Sequence, residues 1–150
     1  MRKLTIRRTQ SFVACLAKAK VYIEDRVAGD TTINKVPCRK LGEVRNGEAQ
    51  TFEIADEALK VFVIADALSK SYCSDMYELP EGQEDIVLTG QNRFNPVVGN
   101  AFRFDNNNSE AAKANRKRGI GIGVGVFIAS IAVGFAVGFL VVYGMLQFMF

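Results

Sequence analysis

Three cysteines, Cys15, Cys38 and Cys73, are the most reactive side chains in this 150-residue sequence, and the chemistry open to them is narrow. No two stand in C-x-x-C spacing and the sequence contains no histidine, so neither a mixed zinc site nor a Cys/His or Ser/His nucleophile pair can be assembled. They read as small core or surface thiols in a reducing compartment. Val13 and Ala14 precede Cys15 as in a lipoprotein signal, but Arg7, Arg8, Thr9 and Gln10 occupy the place of the apolar stretch that an export signal requires. Export by that route is not expected. Acidic neighbours that could share a proton occur at Glu24-Asp25, Asp56-Glu57 and Glu84-Asp85, all beside expected turns where solvated acids belong. Asp105, Asn107 and Ser109 imitate the first three ligand positions of a calcium loop, yet Glu110 stands where the turn needs glycine and Arg116 where the bidentate glutamate belongs. "GIGIGVG" lacks the G-x-G-x-x-G spacing, a preceding strand and a following Gly-Lys-Ser/Thr, so it is no phosphate loop. No catalytic residue, metal or cofactor is expected, and the protein is not expected to be an enzyme.

The elements that would position any site are of β type. From Leu4 to about Phe104 short runs of β-branched and aromatic residues alternate with clusters of Gly, Pro, Asn and Asp. "KLTIRRT" puts Leu4 and Ile6 on one face and Lys3, Thr5 and Arg7 on the other, and "VACLAKAKVYIED" reads as a second, longer strand. Asn46-Gly47 predicts a type I′ hairpin between "CRKLGEV" and a partner strand "AQTFEI". A turn at Asp56-Glu57 leads to the buried strand "VFVI". "YCSDMYELPEG", "DIVLTGQNRF" and "GNAFRFD" complete the set, with Pro80-Glu81-Gly82 and Asn95-Pro96 as turns. Seven or eight strands predict an all-β soluble domain, a β-sandwich, over residues 1–104. Phe94, Phe102 and Phe104 are expected in its core.

Residues 105–118 read as a polar and basic linker, with room for a short helix from Glu110. The final thirty-two residues, 119–150, carry no charge and exceed the roughly 20 apolar residues that cross about 30 Å of hydrocarbon. They predict one C-terminal transmembrane α-helix centred on residues 124–143, with Tyr143 and Gln147 near the far interface. Lys113, Arg116, Lys117 and Arg118 flank it on one side, and such residues tend to stay cytoplasmic. A tail-anchored, single-pass arrangement with a cytoplasmic N-terminal domain follows as the expectation. These four hold much of the net charge of +3, leaving fifteen basic against sixteen acidic residues over 1–112. The pI of 8.8 therefore does not point to nucleic acid.

Within the span, Ser130, Gly134 and Gly138 form one small-xxx-small run and Gly121, Gly125 and Ala129 another. Both runs are read as small residues along one helical stripe, which predicts a homo-oligomer held by close helix packing. Arg2, Lys3, Arg7 and Arg8 crowd the first strand. Either they lean on an anionic membrane surface, or they are the polar face of a guarded edge strand.

The run "KVYIED … KLGEVRNGEAQTFEI … LKVFVIAD", covering residues 20 to about 66, resembles small bacterial β-sandwich modules of the PEGA-like kind. The resemblance implies a non-catalytic accessory module on a membrane protein and carries over no site residues. The expected function is a membrane-anchored interaction or scaffold module with an unidentified protein partner. The competing expectation is a membrane-active or pore-type oligomer in which the span is the working part.

Overall fold

The computed structural model describes residues 1–64, 75–95, 99–105, 107 and 109–149. Among these residues nine strands and one helix follow one another: β1 (Arg2–Arg8), β2 (Ala19–Glu24), β3 (Thr31–Ile33), β4 (Val36–Val44), β5 (Ala49–Ile54), β6 (Leu59–Ile64), β7 (Met76–Leu79), β8 (Ile86–Asn95), β9 (Gly99–Phe104) and α1 (Glu110–Met149). The strands form a four-stranded sheet, β5-β1-β8-β9, and a five-stranded sheet, β3-β4-β2-β6-β7. Alternation along β1 turns Leu4 and Ile6 inward, where they meet Leu88 and Phe102 of the same sheet and Val21, Ile23, Val61 and Val63 of the other. This shared apolar layer is the main core. The unbroken run in β6 is explained by burial on both faces, because Phe62 packs with Ile33 and Cys38 in a second, smaller cluster.

Several sequence expectations hold, among them the turn at Asp56-Glu57 and the buried strand that follows it. Others are corrected. Residues 9–18 are a loop, so the second strand does not begin at Val13 as expected but at Ala19, the chain turning back at Ala14, whose φ is 53°. The Asn46-Gly47 turn does not join paired strands: β4 lies in the five-stranded sheet and β5 in the four-stranded one, so the turn carries the chain between sheets. Only Gly47 has positive φ there, whereas Asn34 and Lys35, at 51° and 69°, make the two-residue turn that joins the paired strands β3 and β4. Phe102 and Phe104 are buried as expected, but Phe94 is exposed. Cys73 and Pro96 lie outside the described residues.

The stretch expected to be a linker already contains the first two turns of α1, and the helix then runs without a break to Met149. Ser109 caps it: the Ala112 amide donates to its Oγ at 3.1 Å and the Lys113 amide to its carbonyl at 3.0 Å. Ile120–Leu140 has a mean hydropathy of 2.4 with none of it buried, and its 21 residues measure about 31 Å. This helix is apolar and long enough to cross a membrane.

Candidate functional site

The root of α1 is seated on a buried carboxylate. Asp75 precedes β7 and is fully buried, and two arginines from different elements converge on it. Arg103 of β9 donates to Oδ1 at 2.8 Å, while Arg116 of α1 donates from Nε to Oδ1 at 2.8 Å and from Nη2 to Oδ2 at 2.6 Å. The amide of Phe104 supplies a fourth donor at 3.2 Å. This fork-on-carboxylate geometry is the strong form of a charged hydrogen bond, and it raises the Arg116 guanidinium above its ordinary value. Asn107 braces the joint by donating to the Met76 carbonyl at 2.8 Å, and its own carbonyl accepts from Arg116 at 3.0 Å. Ala112, in the first turn of α1, is fully buried.

A second built feature lies nearby. The loop Thr9–Lys18 follows β1 and is gripped by Arg8, which is fully buried yet has no carboxylate hydrogen-bond partner among the described residues. Its guanidinium donates to the carbonyls of Ala14 and Ala17, and burial lowers its pKa. Ser11 ties the loop to the rest of the domain: its amide donates to Asn46 Oδ1 at 3.0 Å and its hydroxyl to the Asn92 carbonyl at 3.1 Å. At the tip, Phe12 and Leu16 are 95% and 97% exposed.

The four basic residues of β1 do not share a surface. Lys3 and Arg7 face outward, but Arg2 and Arg8 fall in phase with Leu4 and Ile6 and are drawn inside. Arg2 donates to the Glu57 carbonyl at 2.8 Å. Nor is β1 an edge strand, since β5 and β8 flank it. Of the basic residues before the apolar window, Arg116 is committed to Asp75 and Lys113 pairs with Glu110 at 2.7 Å, while Lys117 is exposed. The side chains of Arg118, Tyr143 and Gln147 lie outside the described residues.

Gly121, Gly125, Ala129, Ser130, Gly134 and Gly138 are all exposed, and a Cβ added at any of the four glycines would meet nothing within 4 Å. They form two stripes, not one. Nine residues separate Gly125 from Gly134, which at about 100° per residue puts them about 180° apart around the helix. Gly134 and Gly138 line an open groove of about 560 Å³ bordered by Ile131, Phe135 and Phe139. Ser130 returns its hydroxyl to the Val126 carbonyl at 2.9 Å, so it contributes small size and no outward hydrogen-bond donor. Gly121, Gly125 and Ala129 occupy the opposite face.

At the far end of the strands a cleft of about 370 Å³ is lined by Glu24, Asp25, Arg26, Arg39 and Glu57, among others. Four of these charges pair within the cleft, Glu24 with Arg26 at 2.9 Å and Asp25 with Arg39 at 2.9 Å. Backbone amides of Ala28 and Val27 together with Arg39 hold the Asp25 carboxyl below its ordinary value. Among the described residues no group of three acidic or thiol side chains is arranged to hold a metal ion. The described thiols differ sharply: Cys15 is exposed, whereas burial pushes the Cys38 thiol up to about 11. A thiol-alkylating reagent at neutral pH is therefore expected to modify Cys15 in the folded chain and Cys38 only after denaturation, which peptide mapping by mass spectrometry will read directly.

Asp75 and Arg8 were the two residues that sequence reasoning missed as organisers of these sites. Arg8 had a signal, its even spacing from Leu4 and Ile6. Asp75, in the polar run "KSYCSD", had none. Neither a model of a known protein family nor the sequence of a curated protein matches this chain.

Proposed function

We propose that this is a non-catalytic membrane protein anchored by α1, whose β-domain is a sandwich serving as a cytoplasmic interaction or scaffold module. The observation that carries the reading is the apolar window Ile120–Leu140, unburied along its length and joined to the domain through a built ion-pair seat instead of a loose tether. Its length of about 31 Å suits the roughly 30 Å hydrocarbon layer. The resemblance to PEGA-like modules supports an accessory role, and the basic residues ahead of the window support the cytoplasmic orientation. In cells carrying an N-terminally tagged chain, the tag should stay in the carbonate-resistant membrane pellet and be cut by protease only after lysis. Cleavage without lysis would reverse the orientation, and a tag in the carbonate supernatant would remove the anchor.

Self-association through the Gly134/Gly138 groove completes the reading, because a groove walled by Phe135 and Phe139 accepts the ridge of a second helix at close range. Gly134→Leu with Gly138→Leu is expected to turn the oligomer into monomer in detergent, measured by analytical ultracentrifugation, with membrane retention unchanged. A second reading, a pore-type oligomer, is favoured by the opposite placement of the two stripes. A helix with packing faces on both sides can contact two neighbours and close a ring. In that case Gly121→Leu with Gly125→Leu also yields monomer, because every contact of the ring uses both faces, whereas under the first reading it leaves the Gly134/Gly138 oligomer intact; the same ultracentrifugation separates the two readings.

A further inference from the structure

We propose that the Thr9–Lys18 loop, together with Phe94, is a second contact between the β-domain and the lipid bilayer, a proposal that rests on α1 being a membrane span. The loop offers apolar side chains where a domain surface normally offers polar ones: Phe12, Leu16 and Phe94 are 95%, 97% and 65% exposed. It is also held in shape. Arg8 binds two of its carbonyls, Ser11 bridges it to Asn46 and Asn92, and the Ala17 amide donates to the Ala14 carbonyl at 3.1 Å. A buried guanidinium held by loop carbonyls, with no carboxylate partner among the described residues, is a costly brace, which fits a tip that must keep its projecting form.

Its location selects the occupant. The loop attaches at Asn92, whose partner across the β8–β9 ladder is Phe102. The carbonyl of that same Phe102 accepts the amide of Asp75 at 3.0 Å, and Asp75 holds Arg116 at the helix root. Loop and root thus hang from one rung of the sheet, their anchors Asn92 and Asp75 about two strand spacings or roughly 10 Å apart. Arg116 lies four residues, or about 6 Å along the axis, from Ile120, the first residue of the apolar window. The root therefore sits at headgroup depth, and a loop tied to the same rung reaches the same layer. Lys18, Arg45 and Arg93 are exposed around it, giving the mixture of apolar tips and basic flanks that suits an anionic membrane interface.

The chain contains no tryptophan, so single substitutions report cleanly. The full chain carrying Phe12→Trp, or separately Leu16→Trp, would be reconstituted into phosphatidylcholine vesicles containing anionic phosphatidylglycerol, with and without brominated acyl chains. The comparison is Val27→Trp, at a position 99% exposed beyond the other end of β2. The Phe12→Trp and Leu16→Trp indoles are expected to emit blue-shifted and to be quenched by brominated lipid, and the Val27→Trp indole to do neither. Solvent-exposed, unquenched emission from Phe12→Trp in a carbonate-resistant chain overturns the proposal while leaving the span intact. Emission that is shielded yet unaffected by bromine overturns it in favour of a protein surface, including a second copy of this chain. A chain stripped from the vesicles by carbonate refutes the span, and the loop contact with it.

Discussion

Asp75→Ala is expected to destabilise the β-domain by about 3–5 kcal/mol, because it strands two arginines around a void where a fully buried carboxylate stood. Arg103 and Arg116 both lose their anionic partner, and the Phe104 amide loses its acceptor. Set against the 5–15 kcal/mol that typically holds a domain together, this is a large share of the total. Urea unfolding of the full chain in detergent, followed by near-ultraviolet circular dichroism, measures it. Arg116→Gln should cost less, about 1.5–3 kcal/mol, since Asp75 keeps Arg103 and the Phe104 amide. The two variants together should lose less than the sum of their separate effects, because each removes the same pair. Strict additivity would mean that the seat is not a unit.

The consequence reaches beyond stability. With Arg116 released, Asn107 keeps its bond to Met76 but loses one of the groups that pins α1 to the domain edge. The polar stretch before the apolar window then becomes the tether that composition suggested. Its attachment to the domain runs through one buried carboxylate from a distant part of the sequence.

That distance explains what could be read in advance. Period-two alternation places Leu4 with Ile6, and an uncharged run of thirty-two residues marks the apolar helix, because each signal is carried by neighbours in the chain. The seat is not local: Asp75 and Arg116 are separated by 41 positions, and nothing within five residues of either announces the other. The mistaken hairpin at Asn46-Gly47 has the same origin. The dipeptide is a turn, as expected, but whether the next strand pairs back or crosses to the other sheet depends on β1, whose Arg2–Arg7 stretch claims β5. Arg8 shows the converse case, in which alternation put a charged residue on the inner face and the rule that arginines are exposed overrode it. Here the pattern was the better guide, since the buried guanidinium finds carbonyls in the following loop.

Gly90→Ala is the second substitution with a large expected effect, and it probes the same β8–β9 ladder at the Gly90–Phe104 rung. A Cβ there would lie 2.5 Å from the Arg103 carbonyl oxygen and 2.6 and 2.7 Å from two ring carbons of Phe102. The ring has little freedom to move, being fully buried and packed edge-on against Phe104 at 5.3 Å. Phe104 in turn meets Tyr77 at 5.6 Å, so displacement would propagate across the edges of both sheets. Overpacking of this kind costs about 1–3 kcal/mol, and a clash with backbone puts Gly90→Ala at the upper end. Stiffening of the unfolded chain offsets only about 0.4–1 kcal/mol of it. Adding Phe102→Leu identifies the obstacle: partial recovery in urea unfolding assigns the clash to the ring, whereas no recovery assigns it to the Arg103 carbonyl. The second outcome would mean that Gly90 keeps β8 and β9 close enough for Arg103 to reach Asp75, making this glycine part of the seat that holds the helix.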